Sequence, residues 1–120
     1  MKVAITSQGQ DLAAAVDPRF GRARYFVLVD TESGATSAAD NSQNLNAAQG
    51  AGIQAGKNVA DLGAQAVITG HVGPKAFATL RAAGIDIYTG ATGTVADAVD
   101  QFKAGSLQQA AGANVEGHWV

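Results

Sequence analysis

Two stretches hold the residues best suited to chemistry. One is Gly70-His71-Val72-Gly73-Pro74-Lys75, an imidazole between glycines followed by a proline and a cation. The other is Asp17-Pro18-Arg19-Phe20-Gly21-Arg22-Ala23-Arg24, with three arginines within six residues of one another. Together they offer positive charge, one titratable ring and glycine backbone that a ligand can approach closely. That is the equipment for holding an anion. Pro74 suits the first position of a helix, where a missing N–H costs nothing and the fixed φ is already helical. A helix starting there presents N–H groups and a partial positive charge, with Lys75 beside them. The plain alternative for the arginines is a solvated basic loop. Against it, Phe20 is an aromatic set among them, and a chain of net charge −2 spends three of its eight basic residues there.

Composition narrows the options. The 120 residues are expected to form one domain, 1–120, with 105–120 as a packed C-terminal tail. The slight net acidity gives no global field for nucleic acid or an acidic membrane, so any anion site is local. No cysteine is present, which removes disulfides, thiolate catalysis and cysteine-ligated metals. The start turns polar at Thr6-Ser7-Gln8, too early for a signal peptide, and no apolar run reaches membrane-spanning length. A soluble, cytoplasmic monomer is expected.

The elements that would position these stretches follow from periodicity. Residues 2–6 read as a first strand, followed by a polar loop that opens with Ser7. Residues 12–16 are apolar without a decisive period. Residues 25–29 are a β-branched and aromatic run, a second strand; 35–39 form a weak third strand pairing back as an edge hairpin. Residues 40–48 carry Asn41, Gln43, Asn44 and Asn46, a loop with local turn chemistry. Gly52, Ala55, Val59 and Leu62 recur at helical spacing, so a helix is predicted to start near Gly50. Strands at 66–69 and 85–89 follow, with a helix from Pro74 between them that buries Phe77, Leu80 and Ala83. The last helix starts near Thr94, where Thr94 and Asp97 have capping-box spacing, and buries Val95, Ala98, Val99 and Phe102. Residues 106–120 have no period; His118 and Trp119 there read as a tail packing its aromatic on the body.

This order predicts an α/β domain with a mixed five-stranded sheet, order 3-2-1-4-5, strand two antiparallel to strand one and helices flanking it. Ligands of open α/β sheets bind outside the carboxyl ends of the parallel strands. That rim collects Ser7 to Gln10, the arginine loop, Gly70 to Lys75, and Gly90 to Thr94, with Gly93 and Thr94 as its candidate contacts there. Arg19, Arg22, Arg24 and Lys75 are its four expected cations.

The same residues resemble the dinitrogenase iron–molybdenum cofactor biosynthesis family. The likeness is carried by strand one with Ser7, by Asp17-Pro18-Arg19-Phe20-Gly21-Arg22-Ala23, by Gly70-His71-Val72-Gly73-Pro74-Lys75-Ala76, and by the ending Gly112-Ala113-Asn114-Val115-Glu116-Gly117-His118-Trp119. It implies an RNase H-like motif. For a compact, cysteine-free member it also implies a non-covalently held molybdenum–copper sulfide cluster, whose inorganic sulfides are the metal ligands. ParA/MinD-type ATPases are the implied partners. A thiometallate is a bulky, soft anion. Arg and Lys charge, backbone N–H groups and apolar contact from Phe20 and Val72 would hold it, and His71 would donate to a sulfide or ligate an exposed metal.

The leading expectation is therefore a cluster-binding carrier without catalytic turnover. The alternative is a small α/β enzyme or binding protein for a phosphorylated molecule, because phosphate suits the same rim. The sequence lacks a Ser–His–Asp motif, a Walker motif and a full Gly-x-Gly-x-x-Gly after strand one. Strand one also has no carboxylate for nuclease chemistry.

Overall fold

The computed structural model describes residues 1–41 and 51–113. Among them the elements run β1 (Lys2–Ser7), β2 (Tyr25–Asp30), β3 (Thr36–Asp40), α1 (Ala51–Asp61), β4 (Ala66–Ile68), α2 (Pro74–Ala82), β5 (Asp86–Thr89), α3 (Val95–Lys103) and β6 (Gln108–Gln109). The strands form one sheet in the order β3-β2-β1-β4-β5-β6. β2 is antiparallel to β1, while β4 and β5 continue from β1 in parallel. The predicted order holds, with one strand more than predicted. β6 pairs antiparallel with β5 through Tyr88–Gln109 and Thr89–Gln108. Its two residues are polar and exposed, so no alternation marks them in the sequence.

Alternation along the strands feeds two cores. Ala4, Phe26, Leu28, Val67 and Ile87 face α1 and α2, where Ala55, Val59, Ala76 and Leu80 meet them. Val3, Ile5, Val27, Val29, Ala66 and Ile68 face the opposite way, against Val95, Ala98 and Val99 of α3. α1 and α2 lie close: a Cβ on Gly56 would stand 2.8 Å from Thr79 Cγ2. The α2 stripe differs from the predicted one. Ala76 and Leu80 are buried, Phe77 is half-buried and Ala83 is an exposed C-cap. No helix among the described residues is long and apolar enough to cross a membrane.

The β2–β3 turn contains an acid-sensitive group. Asp30 Oδ1 accepts the N–H of Glu32 at 2.9 Å and of Ser33 at 3.2 Å. These bonds, the Glu32 one first, favour the carboxylate and hold its pKa below the ordinary value. A lowered folded-state pKa stabilises the turn above the unfolded-state value, and that contribution is lost as pH falls through the folded one. In an acid titration by NMR, the Glu32 and Ser33 amide shifts should move together with a midpoint below about 3.9, the value of a free aspartate. In Asp30→Asn they should stay still.

Candidate functional site

The apolar stretch after β1 is a strap that crosses the carboxyl ends of the strands. Gln8 N–H donates to Ala15 O at 2.9 Å and Asp17 N–H to Thr6 O at 2.9 Å, folding the strap back on β1. Val16 N–H donates to Gly93 O at 2.9 Å, while Val95 N–H and Ala96 N–H donate to Ala14 O and Leu12 O, each at 2.9 Å. Further on, His71 N–H donates to Pro18 O at 2.8 Å and Phe20 N–H to His71 O at 3.3 Å. Arg19 and His71 thus form a parallel bridge, and the two stretches that opened the sequence reading lie side by side.

Two details fix the strap's height above the sheet. Thr6 Oγ1 lies 2.7 Å from Asp17 O and 2.9 Å from Thr69 Oγ1, all buried. A carbonyl only accepts, so Thr6 gives its proton to Asp17 O and takes one from Thr69. Gly70 passes directly beneath Pro18: a Cβ there would stand 2.8 Å from Pro18 Cα and 2.9 Å from Pro18 O. Glycine at position 70 accommodates the strap's own backbone.

The predicted site residues divide into two groups. His71 is half-buried, Gly73 is the N-cap of α2 in extended backbone with no side-chain cap, Pro74 follows in the first turn, and Lys75 is exposed. Arg24 is exposed just before Tyr25, which pairs with Ser7 on the same rim, and Arg22 is half-buried in the loop before it. Arg24 and Lys75 enter no ion pair among the described residues. Arg19 is partnered: its Nε lies 3.6 Å from Asp17 Oδ1, which also accepts the Arg19 N–H at 3.0 Å.

The second group is buried or already engaged by the chain itself. Phe20 and Val72 are 0% exposed. Phe20 packs on Phe26 with ring centroids 5.6 Å apart, and both Phe20 and Val72 belong to the core, so they anchor their loops and offer no exposed apolar surface, contrary to the expectation. Ser7 is buried, its Oγ bonded to Gly9 O at 2.8 Å and to Gly9 N–H at 3.1 Å. The start of α3 is filled by the chain itself. Thr94 N–H donates to Asp97 Oδ2 and Asp97 N–H to Thr94 Oγ1, while the strap carbonyls take the next two N–H groups. Gly93 and Thr94 therefore complete the cap and the strap contact, whereas the start of α2 has no side-chain cap.

Two residues were not singled out in the sequence. Asp17 holds Arg19; an Asp before proline that accepts the N–H two residues on is a turn signal legible in principle. Asn41 is fully buried, and its backbone N–H donates to Arg24 O at 2.8 Å. Its Nδ2 donates to Ala23 O at 2.8 Å and Gly21 O at 3.4 Å. In sequence it is one amide among several, and Gln43, Asn44 and Asn46 lie outside the described residues, as do Gly50, His118 and Trp119. Among the described residues no group of three or more His, Cys, Asp or Glu could hold a metal ion.

Residues 1–105 match the family model described as dinitrogenase iron-molybdenum cofactor, and the chain belongs to that family. Among solved structures it is similar to the apo form of the orange protein from Desulfovibrio gigas, with 44% identity and a TM-score of 0.92 over 95% of this chain and 96% of that one. It is also similar to a putative NifB protein from Thermotoga, with 40% identity and a TM-score of 0.79 over 90% and 91% of the two chains. A curated relative, an uncharacterized protein of Methanocaldococcus jannaschii, is 29% identical and matches over 91% of each chain.

Proposed function

We propose that this chain binds and carries an anionic molybdenum–copper sulfide cluster, held non-covalently on the rim between the arginine loop and the start of α2, with no catalytic turnover. The observation that carries this reading is the backbone pairing of Arg19 with His71. It brings a basic loop against a helix terminus without a side-chain cap, beside exposed Lys75. Because no side-chain cage for a bare metal is present among the described residues, a metal held here brings its own ligands. A sulfide-ligated cluster does, and it leaves the protein the work of charge and hydrogen bonding. Arg22, Arg24 and Lys75 would supply the charge, and His71, its backbone bonded to the arginine loop, would donate to a sulfide or ligate an exposed metal. Among the described residues this rim has no carboxylate triad for magnesium, which a phosphoryl-transfer enzyme would use. The ParA/MinD-type ATPase partner and the monomeric state belong to this reading on the family resemblance alone.

Reconstitution tests it. Apo-protein mixed with tetrathiomolybdate and copper should take up both metals in a coloured form that stays with the protein through gel filtration. Magnesium-dependent nucleotide binding by calorimetry, with no metal uptake, would overturn the proposal.

A further inference from the structure

We infer that Asn41 is a positioning residue for the arginine loop, and that Asn58 and Gln54 of α1 orient it in turn; this rests on the cluster reading above. One residue takes the carbonyls of three loop positions: Ala23 and Gly21 through Nδ2, and Arg24 through its backbone N–H. Two carbonyls facing one end of a carboxamide fix which end it is, because only the NH2 can donate to them. Oδ1 must therefore face the other way, and there Asn58 Nδ2 approaches it at 3.5 Å. Asn58 Oδ1 accepts in turn from Gln54 Nε2 at 3.0 Å. The donors run in one direction, from Gln54 to Asn58 to Asn41 to the loop, and such chains polarise in the same sense.

The consequence for the loop is electrostatic. A trans peptide sets its N–H opposite its C=O. Carbonyls 21 and 23 turned onto Asn41 send the N–H groups of Arg22 and Arg24 to the opposite side. The negative ends of these peptides are thus buried against the amide, away from the side where the N–H dipoles point. Without the Nδ2 donor these carbonyls would be unsatisfied, and the loop would exchange this conformer for others. Affinity for an anion then falls by the fraction of time the competent conformer is lost.

The test uses tetrathiomolybdate with copper on the full chain. Asn41→Ala should weaken uptake about threefold to tenfold, as its two Nδ2 bonds to the loop are lost, and shift the visible bands of the bound cluster. Combined with Arg24→Ala it should lose less than the two single losses together, since a loosened loop no longer presents the arginine. Strictly additive losses, or wild-type affinity with unchanged bands, would overturn the inference. Should Asn41→Ala fail to fold, Asn58→Ala carries the test, because it touches no loop carbonyl; it should weaken uptake about twofold. Uptake and bands like the wild type in that variant would also overturn the inference. No uptake by the wild-type chain overturns the cluster reading and this inference together, whereas uptake by wild type and variants alike overturns only the inference.

Discussion

Gly70→Ala should destabilise the protein by about 1–3 kcal/mol, the usual penalty for forcing a methyl into filled space. The added Cβ meets Pro18 Cα, O and Cβ, at 2.8, 2.9 and 3.1 Å. These are mostly backbone atoms, and no rotamer change relieves them. The strap must lift, and the His71 N–H bond to Pro18 O stretches with it. Denaturant unfolding should give the lower midpoint. Hydrogen exchange should speed up at the His71 and Phe20 amides before it does in β1 or β4. The control is Gly112→Ala, where a Cβ meets nothing within 4 Å and neither change is expected. If Gly70→Ala matches wild type in both measurements, the strap does not lie on Gly70 in solution.

The second large effect is on cluster affinity. Arg24→Ala and Lys75→Ala should each weaken uptake, and the double variant should lose more than either. The losses should shrink as salt rises, because exposed charges are screened beyond about 8 Å at physiological ionic strength. Arg22→Ala should behave likewise. Arg19→Ala should lose less than Arg24→Ala, since Asp17 already offsets its charge. His71→Ala should show a smaller salt-dependent loss and a shift of the visible bands. Lys103 is exposed at the end of α3, and alanine there should change nothing. Binding titrations at two salt concentrations decide the matter. Equal affinity of wild type and the arginine, lysine and histidine variants at both would remove this rim as the site.

Periodicity and caps made most of the sheet legible. The β-branched and aromatic run at residues 25–29, Pro74 at a helix start and the Thr94–Asp97 pair each depend on neighbours in sequence, and each is present. What stayed hidden depends on distant parts of the chain. Phe20 among arginines looks like a ligand contact, and only its placement against Phe26 makes it an anchor. Gly93 and Thr94 read as part of the ligand rim because the strap that covers them comes from residues 12–16. Asn41 has no local signature either, since its partners are carbonyls on an earlier loop. β6 was missed because two polar edge residues carry no pattern.

The strap over α3 also bears on the order in which the molecule assembles. Residues 12–20 are made before several of their hydrogen-bond partners, the turn at His71 and the start of α3. Closing such long loops is entropically unfavourable until the rest of the sheet holds the ends together. β1, β2 and β3 can form their antiparallel pairs first, while the strap waits for β4, α2 and α3. A nascent chain that stops short of Val95 has the arginine loop and the His71 turn, but its strap lacks the two N–H donors of α3. The rim is thus among the last parts to reach its final form, so a growing chain does not present the site proposed above before the fold beneath it is complete.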